Sequence, residues 1–148
     1  MDRNRLTETL KRHEGLAKVV GKRVYPYKCP AGYLTIGYGR NLDGIGISFE
    51  EAEILLNNDI DNAIKAVKIV FPDFDSIDDV RQEVLVNLMF NIGYLKFIQF
   101  KKMIAAVKIK DFKEAAKQLK DSQWYNQVGN RGKELVNMLE KGIINGKK

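Results

Sequence analysis

At 148 residues, 45% of them hydrophobic and 30% charged, the chain is long enough to bury a substantial interior, and its composition excludes a disordered polypeptide. No apolar run approaches the ~18 residues that span a bilayer, and the basic start MDRNRLTETLKRHEG lacks the apolar core and small-residue cleavage site of a signal peptide. Cys29 is the single cysteine and His13 the single histidine, which excludes an internal disulfide and argues against a structural zinc site.

The net charge of +6 is unevenly spread. Residues 1–49 carry nine Lys/Arg against four Asp/Glu, residues 50–99 four against ten, and residues 100–148 twelve against five. Two basic segments flanking an acidic one predict a positive surface for a polyanion: nucleic acid, an anionic membrane or a bacterial wall. Solvated helix faces with no partner would give the same pattern.

Taken in chain order, Leu6 and Leu10 lie four apart among polar residues and predict a short amphipathic helix over 3–12, stopped at Gly15. Glu14 then emerges from its last turn. Lys22–Lys28 and Tyr33–Tyr38 are rich in Val, Tyr, Ile and Thr, and Cys29-Pro30-Ala31-Gly32 between them predicts a β-hairpin. Pro26 confines the first strand to an edge. Gly37 and Gly39 predict a bend or a close backbone approach, and 41–46 is a further turn region.

Ser48 followed by Glu51 is a capping-box signature, and the apolar three-and-four spacing from Ala52 to Val67 predicts a long helix to about Ile69, stopped before Pro72. Ser76 with Asp79 reads as another N-cap. Val80, Val84, Leu88 and Ile92, with Leu85 and Met89, predict an apolar helix at the centre of a helical core. Shorter helices are expected at Phe97–Val107, Asp111–Lys120 and Arg131–Lys141. The expected organisation is one domain with a small β lobe and a helical lobe, and a ligand site in the cleft they form.

Glu14 is an acid at a helix C-terminal end, where the macrodipole disfavours negative charge; that suits a general acid, although a solvated surface glutamate would look the same. Cys29 at the hairpin turn is expected to be exposed, with Lys28 and Arg23 favouring its thiolate. A Cys29–His13 pair would point to a cysteine hydrolase, but a lone Cys and a lone His coincide often by chance. Trp124–Arg131 (WYNQVGNR) puts aromatic and amide groups on a predicted loop, suited to sugar binding, or else Trp124 is a core anchor.

Across HEGL, YKCPAGYLTIGYGRNL, ISFEEAEILLNNDI, LVNLMFNIG and FKEAAKQLKDSQWYNQVGNR, nearly the full length and in order, the chain resembles the phage-type lysozymes, glycoside hydrolase family 24. That family's pattern is a catalytic Glu, then Asp or Cys at the hairpin, then Thr after five intervening residues; Glu14, Cys29 and Thr35 match it. The resemblance implies that Glu14 protonates the glycosidic oxygen while Cys29 and Thr35 hold or activate the attacking water. It implies that Arg131 neutralises the catalytic Glu, and that Phe90, Asn41, Met103 and Gln118 line the saccharide cleft; only Phe90 keeps the residue type expected there. Two departures stand out. The fourteen residues between Glu14 and Cys29 exceed the family's gap, so the extra ones in AKVVGKRV are expected to extend the hairpin or its approach. Cys also replaces the second carboxylate of the usual glycosidase pair.

The resemblance thus implies an α+β, lysozyme-like fold: a β-containing lobe at about 13–50, a connecting helix at about 49–69, and a helical lobe at about 70–148 with the N-terminal helix 1–12. The implied activity is a lysozyme (N-acetylmuramidase) cleaving the β-1,4 bond between N-acetylmuramic acid and N-acetylglucosamine in bacterial peptidoglycan for host cell lysis. No cofactor and no metal is implied, and neither nucleic acid binding nor stable membrane insertion. A monomer is expected, held in the host bacterial cytoplasm until a holin-like partner releases it to the wall. A lytic transglycosylase on the same scaffold and a non-catalytic peptidoglycan-binding protein are the alternatives.

Overall fold

The computed structural model describes residues 1–144. In chain order the elements are α1 (Arg3–Glu14), β1 (Val19–Val20), β2 (Arg23–Val24), β3 (Tyr27–Lys28), β4 (Leu34–Ile36), β5 (Arg40–Asn41) and α2 (Phe49–Val70). A 3-10 turn at Phe74–Ser76 precedes α3 (Asp79–Ile92), α4 (Tyr94–Phe97), α5 (Lys101–Lys108), α6 (Phe112–Lys120), α7 (Gln123–Val128) and α8 (Asn130–Lys141). This is the expected α+β class, with a small antiparallel region on the N-terminal side and a mostly helical remainder. The chain forms two compact units, Met1–Ile54 and the residues from Leu55 onward; α1 belongs to the first.

In the first unit, Asp2 caps α1 by accepting from the Arg5 N–H at 3.0 Å, and Gly15 ends it at φ +65°, returning its N–H to the Lys11 carbonyl at 2.9 Å. The strand expected over 22–28 divides. Pro26 has no N–H to continue a ladder, so Arg23–Val24 pairs back onto Val19–Val20, in the register Val19↔Val24 and Val20↔Arg23. AKVVGKRV therefore makes a hairpin of its own, with Gly21 (φ +59°) and Lys22 at the tip, rather than lengthening the next one. Beyond Pro26, β3, β4 and β5 form a three-stranded antiparallel sheet in that order, with β3 at an edge as Pro26 requires. β5 falls at the start of a segment read as turn, because two residues carry too little alternation to mark a strand.

The capping box is fully formed. The Ser48 N–H donates to Glu51 Oε1 at 2.9 Å, and the Glu51 N–H donates to Ser48 Oγ at 3.0 Å. The Glu51 carboxylate also takes the Arg40 fork, with Nη1 and Nη2 each at 2.9 Å, which ties β5 to the start of α2. Those bonds, the Arg40 one foremost, pull the Glu51 carboxyl down to about 2 and raise Arg40.

In the second unit, Val84, Leu85 and Leu88 of α3 are fully buried, as are Val67, Phe97, Ala115, Leu119 and Leu139. Phe71 meets Phe97 edge to face at 6.2 Å. The helix expected over 97–107 starts later, at Lys101, and Phe97 instead ends the separate short α4. Phe97 and Met103, 0% and 1% exposed, both face the core, and six residues of continuous helix would turn them well apart; shortened bonds such as Phe100 N–H to the Phe97 carbonyl (3.0 Å) break the run. The cap of α3 is Asp78, which accepts from the Arg81 N–H at 3.2 Å; Ser76 instead turns its hydroxyl to the Asp73 carbonyl at 2.6 Å.

Arg81 joins three elements. It donates to the Leu139 and Glu140 carbonyls at the end of α8 at 2.7 and 2.6 Å, pairs with Asp78 at 3.2 Å, and lies 4.0 Å from the Phe112 ring centre of α6. Arg81→Ala is expected to lower stability by roughly 2–4 kcal/mol, read as a reduced denaturant midpoint at constant slope. Because the folded-state Glu51 carboxyl lies below its ordinary value near 4.5, its contribution is present above that value and is lost as pH falls towards about 2. Glu51→Gln should remove that part of the acid dependence, measured as stability across this window.

Candidate active site

Glu14 is the last residue of α1, exposed, and within the first unit its carboxylate has no ion-pair partner. It is held against the β4–β5 turn: a Cβ built on Gly39 would lie 3.3 Å from Glu14 Oε2, and Gly39 sits at φ +86°. Glycine is therefore required twice at this position, for the backbone angle and for the carboxylate's room. The close approach expected of Gly39 is an approach to the candidate acid.

Cys29 and Thr35 come together on the β3–β4 hairpin. The Cys29 N–H donates to the Tyr33 carbonyl at 2.9 Å and the Gly32 N–H to the Cys29 carbonyl at 2.8 Å, closing a turn with Pro30 at its second position and Gly32 at φ +88°. This folds the N–H groups of Ala31, Gly32 and Tyr33 towards the thiol. Cys29 is pulled below its ordinary value of 9.0, most by the Tyr33 N–H; partial burial opposes this, and the Ala31 N–H, the Thr35 hydroxyl and the Gly32 N–H add to it. Thr35, 4% exposed, is the buried polar side chain among the described residues. Its hydroxyl lies 2.9 Å from the Tyr33 carbonyl as well, so its one proton serves either that carbonyl or the thiolate.

Thr35 is the cross-strand partner of both Tyr27 and Asn41, so these three side chains stand on one face of the sheet. Asn41 uses Oδ1 to accept from the Gly44 N–H at 2.9 Å, leaving its NH2 group available. Asp43 is the first acidic residue after Glu14, and it takes the Leu34 N–H at 2.7 Å, supporting β4 from outside the ladder. The stretch between them thus has no second carboxylate, and Cys29 is the group there that can carry a negative charge at moderate pH.

The remaining predicted residues lie in the second unit. Phe90, 44% exposed, and Arg131 line one groove of about 480 Å³, together with Leu56, Ile60, Glu83 and Asn87. Arg131 is aimed by Asn87, whose Oδ1 accepts from Nε at 3.1 Å and Nη2 at 2.7 Å. Gln118 is half-buried on α6, donating to Glu114 Oε1 at 2.7 Å. Met103 is 1% exposed and has no surface to present to a saccharide.

The segment Trp124–Arg131 is helical, α7 followed by the start of α8, rather than a loop, because Ser122 caps it by accepting from the Tyr125 N–H at 3.2 Å. Trp124 is 7% exposed and its Nε1–H donates to Asn91 Oδ1 at 2.7 Å, which is the core-anchor reading. Asn87 and Asn91 were not legible as supporting residues. Each acts across more than thirty residues of sequence, and a polar residue on an apolar helix looks alike whether or not it has such a partner.

The phage lysozyme family model matches residues 12–141. The chain belongs to the phage lysozyme family. Among its relatives are two proteins of Dictyostelium discoideum described as probable T4-type lysozymes 1 and 2. The first is 27% identical over 86% of this chain and 92% of its own length; the second is 29% identical over 66% and 59%. The pre-baseplate central spike protein Gp5 of Enterobacteria phage T4 is 27% identical over 94% of this chain, which spans 28% of that protein. As a member of the phage lysozymes the protein is a glycosidase-type hydrolase acting in cell-wall lysis. Glu14, Cys29 and Thr35 all lie within the matched residues.

Two outcomes check this phage lysozyme site. Gly39→Ala puts a Cβ against Glu14 Oε2 in a left-handed backbone, and on the order of 10- to 100-fold of lytic activity should be lost with the fold retained by circular dichroism. The thiolate absorbance of Cys29 should titrate below 9.0, and in Thr35→Val its midpoint should move back up.

Proposed function

We propose that the protein is an N-acetylmuramidase that hydrolyses the β-1,4 bond between N-acetylmuramic acid and N-acetylglucosamine in peptidoglycan. The observation that carries this reading is the pairing of an unengaged carboxyl, Glu14 against Gly39, with a hydrogen-bonded thiol, Cys29 beside Thr35, in one compact unit. Glu14 donates its proton to the glycosidic oxygen as the bond to C1 breaks and positive charge builds on the sugar ring. Water adds to C1 and gives its proton to the Cys29 thiolate, with Thr35 orienting the water or the sulfur. Proton return from Cys29 to solvent and from solvent to Glu14 restores the site. A thiolate is an acceptor of one proton, as a carboxylate is, which is why the exchange of one for the other preserves the arithmetic of hydrolysis.

The biological setting proposed is host cell lysis by a protein held in the bacterial cytoplasm, acting as a monomer, and released to the wall by a holin-like partner. No helix among the described residues is long and apolar enough to cross a membrane. Arg131, aimed by Asn87 beside Phe90, is proposed to contact saccharide in the second unit's own groove.

Lysis of purified peptidoglycan tests the assignment. Glu14→Gln should lose at least roughly 1,000-fold of activity while keeping its fold and wall binding; substantial residual lysis would sink Glu14 as the acid. Cys29→Asp should retain activity, with the alkaline-side dependence of the thiol replaced by a carboxylate limb at lower pH. A folded, inactive Cys29→Asp protein would mean that sulfur itself is required.

A further inference from the structure

Gly44 is a glycine that its backbone angle does not call for, since it lies outside the left-handed region that holds Gly39 and Gly46. What it supplies is room. A Cβ built there would lie 3.0 Å from Asn41 Nδ2 and 3.3 Å from Asn41 Cγ, tighter than side chains normally pack. The Asn41 amide therefore rests against the Gly44 backbone, and its Oδ1 accepts the Gly44 N–H at 2.9 Å. A backbone N–H only donates, so this bond fixes the sense of the amide: oxygen to the turn, NH2 away from it. The Ile45 N–H also donates to the Asn41 carbonyl at 2.9 Å, so side chain and main chain are held in the same turn. Among the described residues Asn41 Nδ2 has no hydrogen-bond partner, and no buried side-chain nitrogen or oxygen goes unpaired, so the NH2 group reaches solvent. Asn41 is the cross-strand partner of Thr35, which puts this fixed donor on the Thr35 face of the sheet.

We propose that Asn41 is a specificity-determining residue whose NH2 group donates to the acetamido carbonyl of a sugar on the Thr35 face, and that Gly44 is the positioning residue that holds the amide in that sense. The identity of the sugar rests on the reading of this protein as a hydrolase of N-acetylated wall glycan. Polarity decides among the groups such a glycan offers. A hydroxyl both donates and accepts, so either end of an amide satisfies it and a locked amide gains nothing. A carbonyl only accepts, and a donor already fixed in direction meets it without losing rotamer freedom on binding. The acetamido carbonyl recurs on every sugar of the strand. A deacetylated sugar offers an ammonium in its place, which an NH2 group has no lone pair to receive. Asn41 moves no proton in this role; it acts on which sugar is bound and how it lies.

Aspartate separates this role from simple turn formation. Asn41→Asp keeps an oxygen for the Gly44 N–H and loses the outward donor, so the turn survives and the proposed contact does not. Gly44→Ala changes no charge and pushes the Asn41 amide aside. Two walls with the same stem peptides are compared, one N-acetylated and one chemically de-N-acetylated. Sedimentation of the full chain in the Glu14→Gln background reads binding, and fragment release by the Glu14-containing protein reads cleavage. The chain with Asn41 and Gly44 intact should bind the acetylated wall about 10-fold more tightly. Asn41→Asp should abolish or reverse that preference, because a carboxylate pairs with the sugar ammonium. Gly44→Ala should narrow it to about threefold, which separates the contact from repulsion between a basic chain and a cationic wall. Both variants should keep their circular dichroism. Equal affinity for the two walls before substitution, or a preference that neither variant changes, would overturn the proposal and leave Asn41 a turn residue. A preference lost in Asn41→Asp but untouched in Gly44→Ala would overturn the positioning role of Gly44. Preferential binding with no cleavage of either wall removes the hydrolase reading and keeps this contact, whereas cleavage with indifferent binding removes the contact alone.

Discussion

A hydroxyl that is almost wholly out of water has to find its hydrogen bonds inside the protein, and Thr35 finds them in the turn that carries the thiol. It sits at the middle of a three-stranded sheet whose strands are two or three residues long, paired to Tyr27 on one side and Asn41 on the other. So short a sheet has little ladder of its own. It is held from outside: by Asp43 on the Leu34 N–H, by the Arg40–Glu51 fork, and by the Cys29–Gly32 turn. Loss of the turn geometry would move Cys29, Thr35 and Tyr33 together, and the sulfur would lose the N–H groups that favour its charged form.

The helical unit solves a different problem. Its α3 buries Val84, Leu85, Leu88 and Met89 and leaves Asp79, Glu83, Asn87 and Asn91 exposed, so apolar packing fixes its depth but not the register of the helices beside it. Polar groups on its rim supply the missing specificity. Arg81 reaches the end of α8, Asn87 orients Arg131 of α8, and Asn91 receives the indole of Trp124 on α7. Three directional bonds from one helix register α7 and α8 against the core. One of those three also aims the cation that lies beside Phe90.

How far the sequence disclosed this depends on whether the cause is local. The Ser48–Glu51 box, the stop at Gly15 and the hairpin turn at Cys29–Gly32 are written in neighbouring residues, and all were legible. The division of the first strand was half legible, because Pro26 marked an edge but did not say that Arg23–Val24 would pair backwards. The break between α4 and α5 and the helical state of Trp124–Arg131 were hidden, since each depends on which side chains the core accepts or on a cap preceding the motif. Glu14, Cys29 and Thr35 were reached through the family pattern together with their place in a glycine-rich turn; charge and periodicity alone left Glu14 indistinguishable from a surface acid. Asn87 and Asn91 carry no local signal at all.

The exchange of a carboxylate for a thiol is the point on which the chemistry turns, because hydrolysis requires water to reach C1 and lose a proton there. The most direct test is cleavage of purified peptidoglycan in water enriched in oxygen-18, with the released fragments weighed. Hydrated fragments carrying one heavy oxygen at the new reducing end, absent from Glu14→Gln, are expected if Glu14 is the acid and water is the second reactant. Unhydrated, unlabelled anhydro ends would contradict that mechanism and identify a transglycosylase in its place.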